Sequence, residues 1–204
     1  MTSIIWDMGG TLVNTYPQVD AVLYDVARTY GVPLRLLDVS RLTRTSIRHA
    51  KTTIAEQYGV PYAELDDAEQ ELRRSWKSRP APLMPHAHEV LAAVRDSGGM
   101  NLVVTHRDRD SASSLISLLG IEIDDMLCAP DGYPRKPDST MYELILQRHN
   151  IAPEDAIGIG DREIDTQAAS GAGMRSILLT TPDIPVVSQA TWVIDSLDQV
   201  LPLL

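Results

Sequence analysis

Three aspartates stand where apolar runs end. Ile4-Ile5-Trp6 runs into Asp7, with Gly9, Gly10 and Thr11 close behind. Ala156-Ile157-Gly158-Ile159-Gly160 runs into Asp161, and Asp165 follows four residues later at the head of a stretch of small residues. An acidic group just past a buried strand, where the backbone must turn sharply, is placed like a functional group. Glycines beside it let the chain approach a ligand closely and turn N–H groups toward an anion. Asp161 and Asp165 can share one side of a strand-to-helix turn. Few carboxylates, with water completing an octahedron, are what Mg²⁺ requires. A turn or a helix cap accounts for one such aspartate, but not for all three together.

Two further groups lie between these in the chain. Asn101-Leu102-Val103-Val104 reads as a strand that ends in Thr105, with His106 and Arg107 next. Tyr133-Pro134-Arg135-Lys136-Pro137-Asp138 reads as a turn that presents a lysine between prolines, and Lys136 is the only one of three lysines followed by proline. The order strand–Asp, strand–Thr, Lys-Pro, strand–Gly-Asp-x₃-Asp resembles the haloacid dehalogenase (HAD) superfamily of phosphohydrolases over nearly the whole chain.

The resemblance implies a role for each residue. Asp7 is the nucleophile that attacks phosphorus and forms an aspartyl-phosphate. Asp7, the main-chain carbonyl of Gly9 and Asp161 bind Mg²⁺, and Asp165 supports the metal or its waters. Thr105 donates to a phosphoryl oxygen, and Lys136 neutralises the nucleophile and the transferring group. Gly10, Thr11, Arg107 and Arg48 are candidate substrate-binding residues, and the substrate is a small phosphorylated metabolite. The chain departs from the family at Gly9, where most of these phosphatases carry a second aspartate that acts as general acid and base. A positioned acid–base contributes about 10²–10⁴-fold, so steady hydrolysis is expected to be slow unless another group serves. Three explanations stay open. His106 supplies the proton transfers. The chemistry has changed, to a phosphonatase-like reaction with Lys51 as its Schiff-base lysine or to phosphotransfer. Or turnover is lost, and the protein binds a phosphorylated ligand or a partner.

The elements that must position these groups follow from the pattern. Strands alternate with helices at 86–96, 112–119 and 139–149, with further strands near 126–129, 176–180 and 191–194 and a short terminal helix. Continuous apolar strands argue for a parallel sheet covered on both faces. Together with the resemblance, this gives an α/β fold: a Rossmann-like doubly wound parallel sheet core (1–14 and 82–204) with an inserted α-helical cap (15–81). Within the insertion, Gly31-Val32-Pro33 and Gly59-Val60-Pro61 break helices. Arg41, Arg44, Arg48 and Lys51 fall at spacings of one helix face. Three prolines stiffen the return between 80 and 85.

A net charge of −10 argues against nucleic-acid binding. Attraction of a phosphorylated substrate must then be local, from the metal, Lys136 and nearby arginines. Cys128 lies in an apolar run and reads as packed rather than reactive. One cysteine and no signal-peptide pattern point to a reducing cytoplasm, no apolar run is long enough to span a membrane, and a monomer or a cap-mediated homodimer is expected. His86 and His88 are not read as a zinc site.

Overall fold

The computed structural model describes all 204 residues. Six strands, Ser3–Trp6 (β1), Asn101–Thr105 (β2), Asp125–Cys128 (β3), Ala156–Gly160 (β4), Arg175–Leu179 (β5) and Trp192–Ile194 (β6), form one parallel sheet in the order β3-β2-β1-β4-β5-β6. The helices are Tyr16–Thr29 (α1), Leu36–Thr45 (α2), Ile47–Tyr58 (α3), Tyr62–Ser75 (α4), Ala87–Asp96 (α5), Arg109–Leu119 (α6), Thr140–His149 (α7) and Glu163–Gly171 (α8). The chain divides into two compact units, Met1–Asn14 with Pro82–Leu204, and Thr15–Ala81. The first contains every strand and the second only helices. No helix is long and apolar enough to cross a membrane.

The three central strands are buried along their whole length, as both-face coverage demands. Ile5, Leu102 and Val104 pack with Tyr142 and Ile145 of α7 and Ala169 of α8. Asn101 is adjacent to Leu102 and so points to the other face, where its amide donates to the Leu91 carbonyl of α5 at 2.9 Å and accepts from the Trp6 indole at 3.0 Å. The sheet is therefore doubly wound. Gly158 lets α8 approach β4: a Cβ there would lie 2.5 Å from the Cβ of Ala169. The sheet grows from β1 in both directions, so β1 and its neighbours β2 and β4 flank a switch point. Ligands of open α/β sheets bind beside the carboxyl ends of such strands.

Most boundaries fall within one residue of the sequence expectation. Helix α6 begins at Arg109 rather than 112, because the Asp108 carboxylate accepts the Ser111 N–H at 2.9 Å and caps it. The expected short terminal helix is Leu197–Leu203, a 3₁₀ helix with Pro202 inside it. Pro202 has no N–H to donate. Cys128 is fully buried, and burial pushes its thiol up to about 11, which fits a packed rather than a reactive side chain.

In the helical unit, Val19, Leu23, Val39, Ile54, Leu65 and Trp76 are buried. The basic stripe expected on one helix face is split. Ser46 is extended at φ −172° and its hydroxyl accepts the His49 N–H at 3.0 Å, so it ends α2 and caps α3. Arg41 and Arg44 lie on α2, whereas Arg48 and Lys51 lie on α3. Arg44 pairs with buried Asp20 at 3.3 Å and stacks on the Tyr16 ring. Lys51 is buried between Asp66 at 2.5 Å and Glu69 at 2.7 Å. Burial alone would lower its pKa, but these carboxylates outweigh it and hold the ammonium charged. A Schiff-base lysine must lose its proton to attack a carbonyl, and the two carboxylates around Lys51 oppose that loss.

Candidate active site

Asp7 leaves the sheet from a fixed backbone. Its N–H donates to the Ile159 carbonyl at 2.8 Å, which extends the β1–β4 ladder one step past the strand. The loop beyond it folds on itself. Leu12 and Val13 both donate to the Met8 carbonyl, at 3.0 and 2.8 Å, and Gly10 donates to Val13 at 2.8 Å from a φ of 94°. Gly10 is thus a turn former whose amide is spent inside the loop, which corrects its assignment to substrate. The buried Thr11 hydroxyl donates to Asp161 Oδ1 at 3.2 Å and so orients that aspartate. Gly9 needs no positive φ, unlike Gly10, and is partly exposed.

Lys136 is almost wholly buried, and its ammonium is surrounded by Asp7 Oδ1 at 2.5 Å, Asp165 Oδ1 at 2.6 Å and the Val104 carbonyl at 3.0 Å. These oxygens are as many as the ammonium has hydrogens. Asp165 is the third helical residue of α8, and its other oxygen accepts the backbone N–H of Arg162, the residue just before the helix, at 3.1 Å. One carboxylate therefore ties down the start of α8 and anchors the lysine. Gly160 makes room for it: a Cβ there would fall 2.1 Å from the Asp165 Cβ.

Burial pushes both Asp7 and Asp165 upward, and Lys136 pulls both down. For Asp165, Lys136 and Arg162 win, and its carboxyl is held below the usual range. For Asp7, burial wins with help from the Asp165 charge, and its carboxyl lies above that range. The surrounding carboxylates hold Lys136 firmly protonated against its own burial. Asp7, Asp161 and Asp165, all buried, each bring one carboxylate oxygen within 4.8 Å of the others. Three hard oxygen donors this close together fit a small divalent cation, whose charge would favour the ionised form of Asp7.

Thr105 is buried at the end of β2, and its hydroxyl oxygen accepts the Arg107 N–H at 3.1 Å. That bond does not use the hydroxyl hydrogen. Arg107 reaches Ser111 of α6 at 2.9 Å, which ties it to the first turn of that helix. His106, the candidate proton shuttle, is engaged in a structural bond. Its Nε2 accepts the Lys136 backbone N–H at 2.9 Å. Burial, then the charges of Lys136, Arg135 and Arg162, push its pKa down to about 3, so the ring stays neutral and carries its proton on Nδ1. It fastens the Lys136 loop to the end of β2. Arg48 is exposed on α3 of the helical unit, a separate body from the one that carries the aspartates.

Two contributors escaped the sequence reading. Arg162 follows Asp161 directly; its backbone N–H is held by Asp165 and its charge helps to hold the Asp165 carboxyl down. Tyr142 has a fully buried hydroxyl without a hydrogen-bond partner, raised by burial and sensitive to the charges of Lys136, Asp165 and Asp7. On sequence it reads only as one apolar position of α7.

Residues 4–179 match the family model for haloacid dehalogenase-like hydrolases. The chain belongs to that family. The HAD-like chain is 24% identical to phosphoglycolate phosphatase 1 of Pseudomonas aeruginosa, over 98% of its own length and 78% of the relative's. It is 27% identical to the N-acetylmuramic acid 6-phosphate phosphatase of the same organism, over 86% and 80%. Its fold matches the crystal structure of a predicted phosphoglycolate phosphatase from Haemophilus somnus with a TM-score of 0.81, at 19% identity, covering 100% of this chain and 97% of that one.

Within this HAD-like core, Gly160→Ala is expected to move Asp165 off Lys136 and to destabilise the core by roughly 1–3 kcal/mol, the usual range for overpacking. A urea titration followed by tryptophan fluorescence checks this. An unchanged midpoint would mean that α8 yields without strain.

Proposed function

We propose that this HAD-like hydrolase is a Mg²⁺-dependent phosphatase that takes the phosphoryl group of a small phosphorylated metabolite onto Asp7. The observation that carries the proposal is the buried constellation of Asp7, Lys136, Asp161 and Asp165 at the carboxyl ends of β1 and β4. The relatives' names, phosphoglycolate phosphatase and N-acetylmuramic acid 6-phosphate phosphatase, support the substrate class. Asp7, Asp161 and the Gly9 carbonyl would hold Mg²⁺, with Asp165 behind them. Bound there, the ion supplies positive charge against the phosphoryl oxygens.

The remaining work belongs to the chain. Asp7 attacks phosphorus with a carboxylate oxygen, and the bond to the leaving oxygen breaks in line. Lys136 stays protonated and spreads positive charge over Asp7 and the incoming group. Asp165 keeps the lysine in place, Thr11 orients Asp161, and the Thr105 hydroxyl can donate to a phosphoryl oxygen. His106 holds the loop that carries Lys136. Phosphoryl transfer needs little beyond positioning and charge stabilisation, so this set suffices for the first step.

The second step needs a base to activate water, and Gly9 offers none. This favours a second reading, in which the phosphoenzyme persists and the protein acts as a phosphotransferase or a slow phosphatase. A rapid time course of phenolate release from 4-nitrophenyl phosphate, with enzyme comparable to substrate and Mg²⁺ present, tests the nucleophile. A burst near one equivalent is expected, followed by slow turnover. Asp7→Asn is expected to abolish both phases, a loss on the order of 10⁴-fold or more, as when the nucleophile of a catalytic unit is removed. Equal release by both proteins would refute Asp7 as nucleophile.

A further inference from the structure

A departing alkoxide needs a proton, and no side chain around Asp7 in the core unit is placed as an acid. The hydroxyl hydrogens of Thr105 and Tyr142 are not used in the bonds described, but an alcohol is too weak an acid and burial raises the Tyr142 phenol further. The Lys136 ammonium faces three oxygens: Asp7, Asp165 and the Val104 carbonyl. The Thr11 hydroxyl gives its hydrogen to Asp161. The two oxygens of Asp165 face Lys136 and the Arg162 amide. His106 accepts on Nε2 from the Lys136 amide and is neutral, and a neutral imidazole is a poor acid. Arg107 and Arg162 are guanidinium groups, which do not give up a proton in proteins. The loop position nearest Asp7 in sequence that is open to solvent is Gly9, which has no side chain to give one.

Building on Asp7 as the nucleophile, we infer that the preferred phosphoryl donor is one whose leaving group departs as a stable anion: an acyl phosphate or a phosphoanhydride rather than the phosphate ester of an ordinary alcohol. The step then balances without proton transfer. A carboxylate oxygen of Asp7 forms a bond to phosphorus, the bond from phosphorus to the leaving oxygen breaks, and its electron pair stays on a carboxylate or a phosphate. The conjugate acid of a carboxylate has a pKa of about 4, against about 15.7 for water, which an alcohol resembles. Energy points the same way. The product on Asp7 is itself an acyl phosphate, so transfer from another acyl phosphate exchanges like for like, whereas transfer from an alkyl ester runs uphill. The phosphoenzyme can then accumulate, and the missing base sets the pace of its hydrolysis.

Quenched-flow measurement on the full-length protein with Mg²⁺ tests this. The donors are acetyl phosphate, 4-nitrophenyl phosphate, phenyl phosphate and ethyl phosphate, which present the same phosphoryl group on increasingly basic oxygens. The rate of phosphoenzyme formation is expected to fall at least about 100-fold from acetyl to ethyl phosphate, the lower end of what a general acid supplies. The slow phase after the burst should be the same for every donor that labels the protein, because all lead to one intermediate. Ethyl phosphate that labels Asp7 within about tenfold of acetyl phosphate would overturn the inference, since some group must then protonate the leaving oxygen. If no donor gives labelling that Asp7→Asn removes, the nucleophile assignment fails, and the donor preference falls with it.

Discussion

Replacing Gly9 with aspartate is expected to raise steady-state hydrolysis of simple phosphate esters by about 10²–10⁴-fold, the contribution typical of a positioned acid–base. Most substitutions near a reactive centre lower activity, so a gain would be diagnostic. The backbone permits it. Gly10 carries the positive φ of the turn and Gly9 does not, so a side chain at position 9 meets no conformational penalty of that kind. Position 9 is partly open to solvent, so a new carboxyl can reach water. The effect should divide between the two steps. Formation of the phosphoenzyme should lose its steep dependence on the leaving group, and its hydrolysis should become fast enough to erase the burst. Phosphate release and a chase of labelled protein measure the two. A Gly9→Asp protein that labels normally and turns over no faster would show that proton transfer does not limit the native chain.

Replacing Lys136 with methionine is expected to destabilise the core by about 3–5 kcal/mol, the range for removing one partner of a buried ion pair, with a fall in melting temperature on the order of 10 °C. Methionine fills similar space, so the loss reports charge rather than volume. Asp7 and Asp165 would face each other with Arg162 as the remaining cation beside them. Their folded pKa values would rise above the unfolded values, so the folded variant would bind more protons than the unfolded chain, and its relative stability would improve as pH falls. In the native chain Asp165 lies below its unfolded value, and the stability this confers is lost as pH falls. The gap between the two proteins should therefore be widest near neutral pH and narrow toward acid. Lys136→Arg is not expected to restore the burst, because a planar fork cannot meet three oxygens grouped around a point. Calorimetry across pH measures the gap, and a pH-independent difference would mean that Lys136 acts by packing alone.

Three of the four chemical groups were legible because each ends a short apolar run, and Lys136 because it stands between prolines in a turn. Asp7, Thr105 and Asp161 could be placed without any contact information, since strand ends on a parallel sheet converge. The partners of those residues were not legible. Nothing in the local sequence says that Thr11 turns toward Asp161, 150 positions away, or that His106 receives the amide of Lys136. Such bonds are settled by sheet register and loop closure, which periodicity does not encode. The basic stripe failed for a local reason. Its spacing is helical, but Ser46 offers a better cap than a continuation, and a single capping residue turns one helix into two.

The chain leaves the core after Asn14 and re-enters at Pro82, and these points are joined: the Asn14 amide donates to the Pro82 carbonyl at 2.8 Å, the Leu12 carbonyl accepts from Met84, and Val13 bridges Leu83. Exit and entry thus behave as the two rims of one socket. These contacts lie outside the six-stranded ladder, so the insertion begins and ends beside the sheet rather than within it. The chain thus enters and leaves the sheet-bearing unit at one hydrogen-bonded seam, and the inserted helices hang from that seam alone in sequence.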